Sequence, residues 1–247
     1  MWRRFIPKKV VNERSSKQED MSNENLRKLL SSTPRAVQAQ RQIDSHPHGF
    51  RHKKERVMEL IDFNDAYVDT VLSLDSDQRK GFDERLKKMM SDECRKARSS
   101  MFSDEQFEAI VRGLSREIAV YLGARELGFD VQMTSRAEDA LGVDMVISEL
   151  HGGRHINVDV KSPSAYRYRV QELLREGRIT ATNANIAEEI GYVREIIEHK
   201  GVSFPVAVIR VDANELGEIV DFRFKNEKLL GRRLLSVMQY MEAANDD

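Results

Sequence analysis

Apolar residues along this chain recur with two periods, one helical and one extended. From Ser103 onward, Phe107, Ile110, Val111, Leu114, Ile118, Tyr121 and Leu122 fall at helical intervals, which predicts a helix ending near Gly128. Ser103 is placed to cap it, Gln106 to reach back as in a capping box, and Asp104 and Glu105 to favour its positive first turn. Alternating runs then predict strands over 129–134, 143–148 and 156–160. Helical spacing returns over 165–175 and over 185–199, where Ile186, Ile190, Val193 and Ile197 form one stripe. A continuous apolar run predicts a strand over 205–211, a shorter one is expected over 218–224, and Leu230, Leu234, Met238 and Met241 predict a final helix over 226–243. Upstream, 53–74 and 77–98 read as charged amphipathic helices. Residues 1–50 show no sustained period and are rich in Ser, Asn, Gln, Arg and Lys, so they are expected to be a largely disordered leader with one short helix over 23–30. The resulting organisation is leader 1–50, helical extension 51–100, α/β core 101–225 and C-terminal helix 226–247, with helices covering a sheet.

Two of the strands flank Gly152-Gly153, a hairpin signal because primed turns need positive φ. With those glycines as the whole loop, partners have numbers summing to 305: Asp144 faces Lys161, Val146 faces Asp159, Met145 faces Val160 and Ile147 faces Val158. Alternation places Asp144, Asp159 and Lys161 on one face and the apolar residues on the other. Read alone, this is either a cluster of reactive groups or the wet face of an ordinary hairpin with a cross-strand ion pair.

Composition narrows the classes. No apolar run approaches the ~18 residues of a membrane span. The basic opening lacks the apolar stretch of a secretory signal, and a single cysteine, Cys94, excludes an intramolecular disulfide or a multi-cysteine zinc site. A cytoplasmic protein is expected. The net charge of −1 conceals an asymmetry: residues 1–60 carry 14 Lys and Arg against 7 Asp and Glu, and the rest is acidic. A basic segment on an acidic body suits phosphate neutralisation, and equally a solvated leader. No Gly-rich nucleotide loop, nucleophile elbow or His-Glu-x-x-His sequence is present.

One further carboxylate joins the hairpin. Glu117 lies at the edge of the apolar stripe of the helix opened by Ser103, where it needs either a salt-bridge partner such as Arg112 or Arg116, or a cation. Glu117, Asp144 and Asp159-Val160-Lys161, in a helix–strand–hairpin–helix–strand order over about 103–212, together resemble the PD-(D/E)XK nuclease superfamily. Val143 stands where that pattern carries proline. The resemblance implies a restriction-endonuclease-like mixed sheet flanked by helices. It also implies Mg²⁺, with Mn²⁺ as a substitute, held by Asp144, Asp159, the Val160 main chain and Glu117, with Lys161 completing the catalytic set. The implied reaction is hydrolysis of nucleic-acid phosphodiester bonds, double-stranded DNA foremost, by a homodimer; the alternative is an inactive binding module of the same fold. Hard-cation chemistry agrees, since Mg²⁺ keeps several waters and needs only one or two carboxylates plus substrate phosphate.

Secondary features follow from the same reading. Asp139, in the polar loop before the second strand, is an accessory ligand or a solvated acid. Ser162, Tyr166, Arg167 and Arg169 interleave hydroxyls, aromatics and cations beyond the third strand and are expected to contact substrate, with Arg175 and Arg178 extending the basic region. Ser162 could equally cap the turn at Pro163. His46, His48 and His52 fall in a Pro- and Gly-containing loop, and His151 and His155 flank the hairpin turn, so none is expected to bind metal.

Overall fold

The structure, a computed structural model, describes residues 8–45, 54–139, 141–150 and 153–243. Gly152, His46, His48, His52 and His151 lie outside the described residues. The chain divides into two compact units, Met1–Val111 and Arg112–Asp247.

The first unit is helical: α1 (Lys8–Asp44), α2 (Lys54–Ser73), α3 (Ser76–Arg79), α4 (Phe82–Lys96) and the start of α5 (Asp104–Glu126). Within the expected leader, Lys8–Asp44 is therefore one long helix rather than disordered chain. Leu29, Ala36, Val37, Ala39 and Ile43 on it are buried, and α1 packs along α2. Ser22 donates to the Ser73 carbonyl at 2.9 Å and Asn25 to that of Asp69 at 3.2 Å, so the two helices run antiparallel. Alanines and serines form much of that interface, and small residues leave little trace in a hydrophobic pattern. The helix expected over 77–98 is broken: Asp75 and Gln78 form a capping box for α3, and Gly81, at φ 60°, restarts the chain as α4. Phe82, Leu86, Met90 and Cys94 then bury one i, i+4 stripe.

The second unit holds the sheet. After α5 come β1 (Phe129–Met133), α6 (Arg136–Asp139), β2 (Met145–Glu149), β3 (His155–Lys161), α7 (Pro163–Arg175), α8 (Ala181–Ile190), β4 (Tyr192–His199), β5 (Val202–Arg210), α9 (Ala213–Leu216), the short pair β6 (Ile219–Val220) and β7 (Arg223–Phe224), and α10 (Glu227–Ala243). The five-stranded sheet has the order β1-β2-β3-β5-β4, with β3 and β5 parallel and the other pairs antiparallel. One face packs with α5 and α10 through Ala119, Val120, Met145, Ile147, Val158 and Leu234. The other packs with α7 and α8 through Tyr166, Val170, Leu173, Ala187, Val193 and Val208. This mixed sheet between helical layers is the α/β architecture expected from the sequence.

One element differs in kind. The helix expected over 185–199 is half helix and half strand, because α8 ends at Gly191, at φ 77°, and Tyr192–His199 continues as β4. A β-branched run, Val193, Ile196 and Ile197, fits the pleated surface it finds beside β5.

Candidate active site

The hairpin register differs from the expected one. Met145 faces Val158, Val146 faces Asn157 and Ile147 faces Ile156, so partner numbers sum to 303 rather than 305. The Glu149 N–H donates to the Arg154 carbonyl at 3.0 Å, so the last bond between the strands joins Glu149 and Arg154 and the expected two-residue turn is replaced by a longer closure. Arg154 fastens this longer closure by forking onto Glu149, at 2.8 Å through Nε and 2.6 Å through Nη2. A shift of two residues preserves the faces, so the apolar side remains the core side. It does separate Asp144 from Lys161 as cross-strand partners and moves Asp144 toward Asp159.

Asp144 precedes β2, and three backbone contacts hold it there. Its N–H donates to the Val158 carbonyl at 2.8 Å, its carbonyl accepts from Thr134 N–H at 3.1 Å, and its carboxylate Oδ2 accepts from Val160 N–H at 2.6 Å. Gly142, two residues earlier, adopts φ 88°, and a Cβ there would stand 4.0 Å from Asp159 Oδ2. The loop entering β2 is therefore laid directly against β3, in a conformation that favours glycine.

Asp159 is buried at 5 % exposure, and the Lys161 ammonium forms an ion pair with its Oδ1. Burial and then the Asp159 charge push the Asp144 carboxyl up to about 7. Burial also raises Asp159, against the lowering effect of Lys161. Burial would lower Lys161, but Asp159 and Asp144 outweigh it and hold the amine protonated above its usual range. Two carboxyls and one ammonium thus share a recess with too little compensation for both acids to ionise freely.

Glu117 lies half-buried on α5. Its helix, α5, contributes to the core layer on the Met145–Ile147–Val158 face, opposite to the face carrying Asp159 and Lys161. The charges acting on Asp144 include those of Asp159, Lys161 and Asp139, and those acting on Asp159 include Lys161, Glu195 and Arg169. Asp139, exposed at the end of α6, and Glu195 are thus further carboxylates whose charge reaches the recess. Among the described residues, no three His, Cys, Asp or Glu side chains are grouped so as to hold a metal ion. The donor set present is a pair of carboxylates with the adjoining Val160 main chain. That set is compatible with Mg²⁺, which commonly takes one or two protein carboxylates and completes its shell with water and phosphate.

The residues expected to contact substrate divide. Tyr166 is fully buried and donates its hydroxyl to the Ala187 carbonyl at 2.8 Å, which removes it from any substrate surface. Arg169 is committed internally: Nε donates to Glu195 at 2.9 Å, a second nitrogen pairs with the same carboxylate, and another reaches Glu172. Those bonds raise its pKa further. Ser162 caps α7, accepting from Ala165 N–H at 3.3 Å. Arg167 is exposed, and so is Tyr168, over whose ring the Arg175 guanidinium lies. His155 is exposed at the start of β3, the opposite end of the strand from Lys161.

The residue that sequence reasoning missed is Glu195. It lies on β4 at 6 % exposure, carries ion pairs to Arg169 and Arg178, and acts on Asp159. The strand reading of Val193-Arg194-Glu195-Ile196-Ile197 after Gly191 would have placed it on the Asp159 face, since Asn157 and Glu195 both flank Val206.

The chain matches no family model, no curated protein and no solved structure.

Proposed function

We propose that this protein is a metal-dependent phosphodiesterase acting on nucleic acid, with double-stranded DNA as the foremost substrate. The observation that carries the proposal is the convergence of Asp144, Asp159 and Lys161 in one recess at the point where β3 gives way to α7. Asp144 and Asp159 would hold Mg²⁺ or Mn²⁺, with Val160 offering main-chain oxygen. The chemistry a bound divalent ion supplies there is acidification of a water ligand and neutralisation of phosphate charge. Each acid is raised above its ordinary pKa, as expected of carboxylates awaiting a compensating cation.

Lys161 has a narrower role in this proposal than a general base. It is held protonated, so it donates to a non-bridging phosphate oxygen and stabilises the charge that develops there. Releasing it from Asp159 is the rearrangement that substrate and cation together would drive. The N-terminus of α7 directly follows Lys161 and adds a favourable dipole for phosphate. Arg167 and Arg175, on the exposed side of that helix, would contact the flanking backbone.

The test is incubation of the purified protein with plasmid and with RNA, with Mg²⁺, Mn²⁺ or chelator. Scission should require the metal and fall by at least about 10²-fold in Asp159→Ala and in Lys161→Ala, the scale of losing one preorganised electrostatic group. Scission that survives both substitutions would refute the site. A second reading, an inactive nucleic-acid-binding module, is favoured specifically by the lack, among the described residues, of any three His, Cys, Asp or Glu side chains grouped so as to hold a metal ion. It predicts metal-independent binding, unchanged in Asp159→Ala, with no scission under any condition.

A further inference from the structure

β4 is the terminal strand of the sheet, and the β5 ladder fixes which of its backbone groups face outward. The Arg210 N–H donates to the Gly191 carbonyl at 2.9 Å, so the odd-numbered residues of this segment direct their backbone at β5. Pro205 agrees: it faces Ile196 and has no N–H, so that pair is not hydrogen-bonded. The N–H and C=O groups of Arg194, Ile196 and Glu198 therefore point away from the sheet. The Ile196 carbonyl takes a stand-in donor, the Arg178 guanidinium.

A groove of about 730 Å³ follows this edge, bordered by both faces of β4 and by Arg178, Ile179, Asn183 and Tyr240. The strand pairs continuously over its eight residues, contains no proline, and leaves Ile196 37 % exposed. Such an edge is a ready template for another strand.

We propose that the strand added is β4 of a second copy, antiparallel about a two-fold axis at Ile196, joining two five-stranded sheets into one. Charge selects both the partner and the register. With the axis at Ile196, Arg194 stands opposite the Glu198 position of the other copy, twice by symmetry, and Ile196 meets itself between them. These are the residues with outward backbone groups, so each pair can close two N–H···O bonds. An axis at Arg194, Glu195 or Glu198 would oppose a charge to itself, and one at Ile197 would set Arg194 against Lys200. The neighbouring copy's Ile196 N–H replaces the Arg178 donor, and Arg178 keeps its ion pair with Glu195. This inference rests on the sheet edge alone and is independent of the chemistry at Asp144 and Asp159.

Light scattering coupled to gel filtration, across a concentration series of the full chain, tests it. The wild type should show twice the chain mass. Glu198→Arg, at an exposed position, and Arg194→Glu should each give monomer by placing like charges opposite one another. The double variant Arg194→Glu/Glu198→Arg should recover the dimer, because the pairs are restored with signs exchanged. Ile196→Pro removes an N–H that the fold itself does not use; it should give monomer with an unchanged circular-dichroism spectrum, and it provides a second reading should Arg194→Glu fail to fold. A monomeric wild type throughout, a dimer that persists in both single charge variants, or a double variant that stays monomeric would each overturn the proposal.

Discussion

Asp144 titrates near pH 7 in the folded chain, whereas an unperturbed aspartate titrates near 3.9. Between those values the folded state holds more protons than the unfolded one, so stability falls as pH rises from about 4 to about 7 and stays low above that. The loss is on the order of a few kcal/mol. Asp144→Asn keeps an amide oxygen to accept the Val160 N–H and removes the charge. Denaturant unfolding should therefore find that variant more stable than wild type at pH 8, with the gap closing toward pH 4; a gap independent of pH would contradict the burial argument. Mg²⁺ should raise the wild-type Tm at pH 8 and have less effect on Asp144→Asn. Asp144, Asp159 and Lys161 were legible in the sequence because alternation survives a two-residue register shift. Tyr166 and Arg169 read as substrate contacts only while Ala187 and Glu195, contributed by α8 and β4, were out of view.

Among the elements, α7 shows how one residue can serve two readings. Ser162 is engaged as the N-cap of that helix, with Pro163 in its first turn. Ser162→Ala should cost about 1 kcal/mol of stability, as caps do, and leave nucleic-acid affinity unchanged. A large loss of affinity with unaltered stability would return the hydroxyl to the substrate. Gly142 carries a different constraint: at φ 88° it lays the β2 entry against Asp159, so Gly142→Ala should cost roughly 1–2 kcal/mol in thermal unfolding. Smaller losses would mean that the loop relaxes elsewhere. The helix from Ser103 was legible in full, and its capping box is present, with Gln106 N–H donating to Ser103 Oγ at 3.1 Å and Ser103 N–H to Gln106 Oε1 at 2.8 Å. The segment 185–199 was not, because Ile186, Ile190, Val193 and Ile197 satisfy a helical period while Gly191 divides them between two elements. Only pairing with β5 decides that the second half is extended.

At the scale of the molecule, the sequence separated a helical N-terminal part from an α/β part, and the structure divides the chain within α5, near the expected boundary. The leader and extension are one helical unit, since α1 and α2 bury each other through positions too sparse and small to declare a period. The basic excess of residues 1–60 belongs to that unit, and the carboxylate recess to the other. If the recess is the catalytic centre, Asp144, Asp159 and Lys161 are its observed cluster. The decisive measurement is the Mg²⁺-dependent rate of plasmid scission for wild type, Asp144→Asn and Asp159→Asn side by side. The expected result is a loss of at least about 10²-fold in each variant. Scission that persists in either variant at the wild-type rate would contradict it.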